Sequence, residues 1–298
     1  MYIADVFQAE SLPVSFEIFP PKGELPLEEA REVVSGLAPL DPAFVSVTYS
    51  AGGGGNSGRT IDVARMINDE FNLTSMAHLT CMNATRENIR QTLGAMKDAG
   101  IQNVLALRGD RVEGASAEDF RFAKDLIPLV REAGFCVGAA AYPEGHVDCL
   151  DFEESIVHLK QKQDAGAEFF VSQLFFDNEA ALRFLDHAHL AGIEVPITLG
   201  VMPFMSKSQI TRMVFMCGAS LPSPVVKLLA RYEDDPKSLR AAGIEYACKQ
   251  MVGLAEAGAD GVHVYTMNKP DVAAAAVEAL GMAGFGPAAH DAREGAPC

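Results

Sequence analysis

Glu17 is the first residue whose position asks for a chemical explanation. It lies in the apolar run VSFEIF (14–19), enclosed by phenylalanines and followed by two prolines. The exposed face of an edge strand would explain it structurally, but a closed barrel has no edges. A carboxyl in apolar surroundings tends toward a raised pKa and can donate a proton near neutrality. Asp110 ends a second run, LALRGDR, with Arg108 on the same side of a strand and Gly109 between them permitting close backbone approach. A local ion pair is the structural alternative there. Gln173 interrupts FFVSQLFF, where a buried amide needs partners in the protein or in a bound heterocycle. His78 in AHLTC is either a satisfied core histidine or a ligand contact. Tyr142, Glu144 and His146 sit where AAYPEGH opens into a loop, and Lys162 on the next helix either meets an anion or is solvated.

Two other patterns carry less. Gly53-x-Gly55-x-x-Gly58 matches the dinucleotide fingerprint formally, but the next strand ends in Cys81 rather than in an acidic residue for a ribose. It reads instead as a loop whose bare backbone lets a ligand approach. His187 and His189 point to different faces of a helix, and the six cysteines contain no CxxC pair. No metal is expected, and the cysteine usage suits a reducing cytoplasm.

These residues need elements to position them. Strand-like runs at 14–19, 44–49, 75–81, 103–109, 136–142, 169–176, 196–202 and 261–267 alternate with segments of helical period. The helices are expected at 27–38, 59–70, 85–99, 118–133, 152–165, 178–191, 206–257 and 270–280. The seventh is interrupted near Leu221–Pro224 and Asp234–Pro236, and glycines 100, 134, 166, 192, 258 and 281 fall at helix ends. Eight strand–helix units predict a single (β/α)8 barrel, with a doubly wound open sheet as the competing α/β fold. Residues 1–285 form its one domain in this reading, and 286–298 a flexible tail. In such a barrel, chemistry sits at the carboxyl ends of the strands, where the singled-out residues converge.

The composition narrows the partners. The 298 residues carry 24 Lys+Arg against 40 Asp+Glu, a formal charge of −16. That argues against sequence-independent binding of nucleic acid or anionic membranes, although a small basic pocket can sit inside an acidic shell. No stretch approaches a membrane span, and the N-terminus has no secretory pattern.

Taken in order, SFEIFPPK, FVSVTYSAGGGG, AHLTC, LALRGD, AAYPEGH, LKQKQDAGAEFFVSQLFFD and GVHVYTMNK resemble the methylenetetrahydrofolate reductase family in its short bacterial form. The resemblance implies a cytoplasmic (β/α)8 flavoprotein of one-carbon metabolism and methionine biosynthesis, holding FAD non-covalently. NADH or NADPH would reduce the flavin, and methylenetetrahydrofolate would then leave as methyltetrahydrofolate. Glu17 matches the family's general acid, and Asp110 an aspartate that stabilises the folate cation. Gln173 and Tyr265 match substrate contacts. Thr48, Tyr49, Ala51, His78, Arg108, Gly109, Asp110, Ala123, Tyr142, His146 and Lys162 match positions around FAD.

Three departures stand out. The glycine loop 52–55 is fuller than usual. Lys269 stands where many members have arginine, able to meet a folate carboxylate only as a point charge. Leu229 is aliphatic where the family has an aromatic contact, which leaves the donor open among NADH, NADPH and an electron-transfer protein. A homo-oligomer or hetero-complex is compatible with each. Rival readings of the same residues are a non-flavin aldolase or isomerase, using Glu17 and the glycine loop on a phosphorylated substrate, and a non-catalytic electron-relay subunit.

Overall fold

The structure is a computed structural model that describes residues 1–21, 27–49, 57–109 and 119–285. Its strands are short and rich in Val, Phe, Leu and Ala, as expected of strands buried on both faces. They are β1 (Val14–Ile18), β2 (Val45–Val47), β3 (Ser75–Thr80), β4 (Asn103–Leu107), β5 (Cys136–Ala141), β6 (Phe169–Ser172), β7 (Ile197–Val201) and β8 (Gly261–Tyr265). All pair in parallel and in chain order, and β8 closes onto β1 with Glu17 opposite Tyr265. This is the (β/α)8 barrel expected above.

The helices are α1 (Ile3–Ala9), α2 (Glu28–Leu37), α3 (Ser57–Phe71), α4 (Arg86–Asp98), α5 (Ala123–Glu132), α6 (Phe152–Asp164), α7 (Asn178–Leu190), α8 (Lys207–Cys217), α9 (Ser223–Arg231), α10 (Pro236–Glu256) and α11 (Pro270–Met282). The breaks foreseen in the 206–257 stretch separate α8, α9 and α10. The main core lies between the strands and the helical ring. A smaller cluster fills the barrel's amino end, where Phe169 meets Phe44 and, from α1, Phe7 at 5.8 Å between centroids. Among the described residues no helix is long and apolar enough to cross a membrane.

Four details differ from expectation. The sequence gives no signal for α1, which caps the amino end through Ile3 N–H donating to Asn103 Oδ1. The run 169–176 leaves the sheet after Ser172, because Gln173 turns its own Oε1 onto Leu174 N–H at 2.9 Å. Helix α5 starts at Ala123 rather than 118, since Asp125 accepts from both Arg121 N and Phe122 N and holds them outside the helix. Gly281 lies inside α11, and Gly284 instead takes the left-handed turn at φ 85°.

Gly200 on β7 allows a close approach near the mouth. A Cβ there would stand 2.4 Å from Ser172 O and 2.6 Å from the Tyr265 ring. Gly200→Ala is therefore expected to cost about 1–3 kcal/mol through overpacking. Gly94→Ala, in the open interior of α4, should instead stabilise by about 0.4–1 kcal/mol. Urea denaturation of the two variants checks both signs.

Candidate active site

The barrel mouth collects the polar side chains that its strands carry inward. Glu17 lies near the end of β1 with its side chain only 17% exposed. Its Oε2 is 3.5 Å from His78 Nε2 on β3 and 3.7 Å from His263 Nε2 on β8. His263 is fully buried; its Nδ1 shares a 2.7 Å hydrogen bond with Ser15 Oγ, and its Nε2 faces Ser46 Oγ at 3.3 Å. Two histidines and two hydroxyls thus form a fixed polar floor beneath the carboxyl. Burial pushes the His78 imidazole down to about 4, opposed by the Glu17 charge and aided by His263. His78 is therefore neutral at pH 7, and its Nε2 has no hydrogen-bond partner.

Above this floor opens a cleft of about 280 Å3 lined by Glu17, Thr48, Tyr49, His78, Thr80, Arg108, Gly109, Tyr142, His146, Gln173 and Tyr265, among others. Gly109 holds φ 87°, with Thr80 Cβ 3.0 Å from where a Cβ would be, so its backbone forms the wall. Gln173 spends its carbonyl oxygen on Leu174 N–H, which leaves its NH2 group as the free donor. Tyr265 donates to Ser172 O at 2.6 Å, and burial raises its phenol well above the ordinary value. It stays protonated.

Arg108, Tyr142 and His146 also line an adjoining lobe with Ala123 and Lys162. Lys162 reaches from α6 to donate to Ala140 O at 2.7 Å, with its ammonium 5.0 Å from the Tyr142 ring centroid. Desolvation, followed by repulsion from Arg108, pulls its ammonium down to about 8. Arg108 pairs with Asp148 at 2.8 Å. The lobe therefore combines cations with aromatic side chains: Phe122 stacks on His158 at 6.2 Å, with Lys124 Nζ 5.6 Å from the Phe122 ring centroid.

Most of the residues singled out from the sequence thus meet in these adjoining hollows. Lys162 is drawn into the lobe rather than solvated. Glu144 turns away to accept from Ser220 N–H, a structural role. Leu229 packs with Tyr265 into the second apolar cluster, and Lys269 is exposed at the start of α11. Ala51, Asp110 and the glycine loop 52–55 lie outside the described residues.

Sequence reasoning missed His263, Ser15 and Ser46, and in the lobe Phe122, Ser155, His158 and Gln161. His263 breaks the apolar alternation of GVHVY just as Glu17 breaks that of VSFEI, so that signal was present. The lobe residues sit mainly on helices, where polar side chains are unremarkable.

Comparison with known proteins gives a consistent picture. The family described as methylenetetrahydrofolate reductase matches residues 2–281. The chain is 33% identical over 270 residues to 5,10-methylenetetrahydrofolate reductase of Escherichia coli K12, covering 90% of each. It is 34% identical over 283 residues to methylenetetrahydrofolate reductase 1 of Schizosaccharomyces pombe, covering 92% of this chain but only 46%, about half, of that longer protein. Among solved structures, an uncharacterized protein from Clostridium thermocellum that binds two copies of 5-methyl-5,6,7,8-tetrahydrofolic acid superposes with a TM-score of 0.64. It is 14% identical, covers 95% of this chain and 99% of its own, and shares the fold.

The buried imidazole has a consequence for stability. The unfolded chain binds a proton at His78 below the ordinary value of 6.5, whereas the folded protein does so only near 4. Between those values the unfolded state holds more protons, so stability rises with pH across this window and is lost, by up to about 3 kcal/mol, as the pH falls from 6.5 to 4. His78→Gln should flatten the pH dependence of apoprotein stability there, as measured by urea denaturation at a series of pH values.

Proposed function

The chain belongs to the methylenetetrahydrofolate reductase family, and from this we propose that it reduces 5,10-methylenetetrahydrofolate to 5-methyltetrahydrofolate, using FAD and Glu17 as the general acid. The carrying observation is that the cleft holding an enclosed carboxyl and the cationic lobe adjoin, with Arg108, Tyr142 and His146 lining both.

The family is typically FAD-dependent, and the residues present fit that group. His78 Nε2 and Thr80 Oγ1 are buried polar atoms at the cleft without hydrogen-bond partners, suited to the heteroatoms of a flavin ring. Gly109 has no space for a side chain between Thr80 and Met82, so its bare backbone lines the cleft. Arg108 and Lys162 supply cations for a pyrophosphate, with Phe122 and His158 also lining the lobe. Thr48, Tyr49, Ala51, Asp110, Ala123, Tyr142 and His146 complete the proposed cofactor contacts. When bound, the flavin would supply the hydride, which protein side chains cannot.

The chain's own residues would do the acid–base and positioning work. Glu17 would protonate N10 of the folate and so open the five-membered ring to a 5-iminium cation. His78, held neutral by burial, would add no positive charge beside the developing cation. Asp110 would lower the energy of that cation by its negative charge. Gln173 would offer its NH2 group to the pterin, Tyr265 its ring face, and Lys269 its charge to the glutamate tail. The electron donor is NADH, NADPH or an electron-transfer protein. Leu229 would give a nicotinamide an aliphatic contact in place of an aromatic one.

The purified protein should be yellow and release FAD on denaturation. Anaerobic titration with NADH, NADPH and methyltetrahydrofolate should identify the donor and show reduction by the folate. Glu17→Gln should keep FAD and its reduction by the donor while losing folate turnover by about 100-fold or more. Folate turnover by Glu17→Gln near the wild-type rate would remove Glu17 as the acid.

A further inference from the structure

The ladder between β1 and β8 ends at Glu17 and Tyr265, yet the backbone of β1 stays bonded beyond it. The buried Thr266 donates from Oγ1 to Glu17 O at 2.7 Å. The side-chain amide of Asn268 then brackets Phe19. Phe19 N–H donates to Asn268 Oδ1 at 2.9 Å, and Asn268 Nδ2 donates to Phe19 O at 2.9 Å. One amide therefore satisfies both backbone groups of a residue that would otherwise fray at the barrel rim.

That geometry needs an unusual loop. Met267 and Asn268 both hold φ 55°, a left-handed conformation that L residues disfavour, asparagine least. Two such residues in succession turn the Asn268 side chain back onto β1. The three bonds all fall on the C-terminal side of Glu17's side chain, at its own carbonyl and at both backbone groups of Phe19, while the sheet holds the other side, where Phe16 N–H donates to Phe44 O at 3.2 Å. The segment from which the carboxyl hangs is thus held by the sheet before it and by the clamp after it.

We propose that Asn268, together with Thr266, is a positioning residue for Glu17: the loop after β8 clamps β1 and fixes where the carboxyl can reach. The proposal rests on the reading of Glu17 as the acid. The clamp also joins that acid to the loop bearing Tyr265 and Lys269, so acid and substrate contacts would be set relative to one another by side-chain hydrogen bonds.

The test uses the flavin-loaded protein, reduced with dithionite and reoxidised by methylenetetrahydrofolate in a stopped-flow instrument. Asn268→Ala removes both bonds to Phe19; Thr266→Val removes the hydroxyl but keeps the shape, and Thr266→Ser restores it. Asn268→Ala and Thr266→Val should each slow reoxidation at saturating folate by about ten-fold or more, the scale of a small misplacement of a reacting group. Half-saturation should change by less than about two-fold, since the clamp touches no substrate, and Thr266→Ser should recover most of the rate. In the apoprotein, the Phe19 amide of Asn268→Ala should exchange with solvent faster while that of Phe16, bonded to Phe44 O, is unchanged. Weaker folate binding with an intact saturated rate, or equal damage from Thr266→Ser and Thr266→Val, would overturn the clamp. Glu17→Gln run in parallel separates the two levels. Slow reoxidation there with normal rates in the clamp variants removes only the clamp, whereas normal reoxidation in Glu17→Gln removes the acid and the clamp together. If Asn268→Ala does not fold, the threonine pair decides alone.

Discussion

Where β8 hydrogen-bonds to β1, residues 248 positions apart in sequence become neighbours. Ser15 meets His263, and Glu17 stands opposite Tyr265. Because side chains alternate along a strand, a slip of one residue would turn all four from the interior to the helical ring. The register itself is held by apolar packing, chiefly Phe16, Val262 and Val264 against the surrounding helices. A few polar groups at the mouth therefore depend on a much larger hydrophobic structure for their aim, and the loops beyond the strands only refine it.

The architecture was legible because parallel strands buried on both faces leave a coarse trace, repeated eight times. The polar residues that interrupt those strands were legible for the same reason, and Glu17, His78 and Gln173 stood out against phenylalanine, alanine and leucine. His263 interrupts GVHVY in the same way, and only the structure shows it beneath Glu17. Helix α1 left no trace because seven residues are too few for a periodicity, and its place is set by tertiary contacts of Ile3 and Phe7. The lobe lined by Phe122 and His158 was invisible for a different reason. Its residues are polar or aromatic on helix surfaces, where that is ordinary, and only the fold shows that they face one another.

Charge follows the same division between shell and interior. The chain carries −16 overall, yet cations line the lobe: Arg108, held by Asp148, Lys162, held by a carbonyl and a ring face, and Lys124, bonded to Gln161. Burial, and then the nearby Arg108, makes Lys162 costlier to keep charged, which an incoming dianion would relieve. Selectivity for anions can thus coexist with an acidic surface, because the field that matters acts over a few ångströms within walls of low polarity.

The packing of Phe7, Phe44 and Phe169 at the amino end has one more implication. A barrel corked at its base opens, among the described residues, at the carboxyl ends of its strands. On the proposed reading, the carrier that brings electrons and the folate that takes them away would have to pass that opening by turns, and neither could wait inside for the other. A donor protein that handed over electrons from outside would escape this queue, so the cork makes the order of events depend on who brings the electrons.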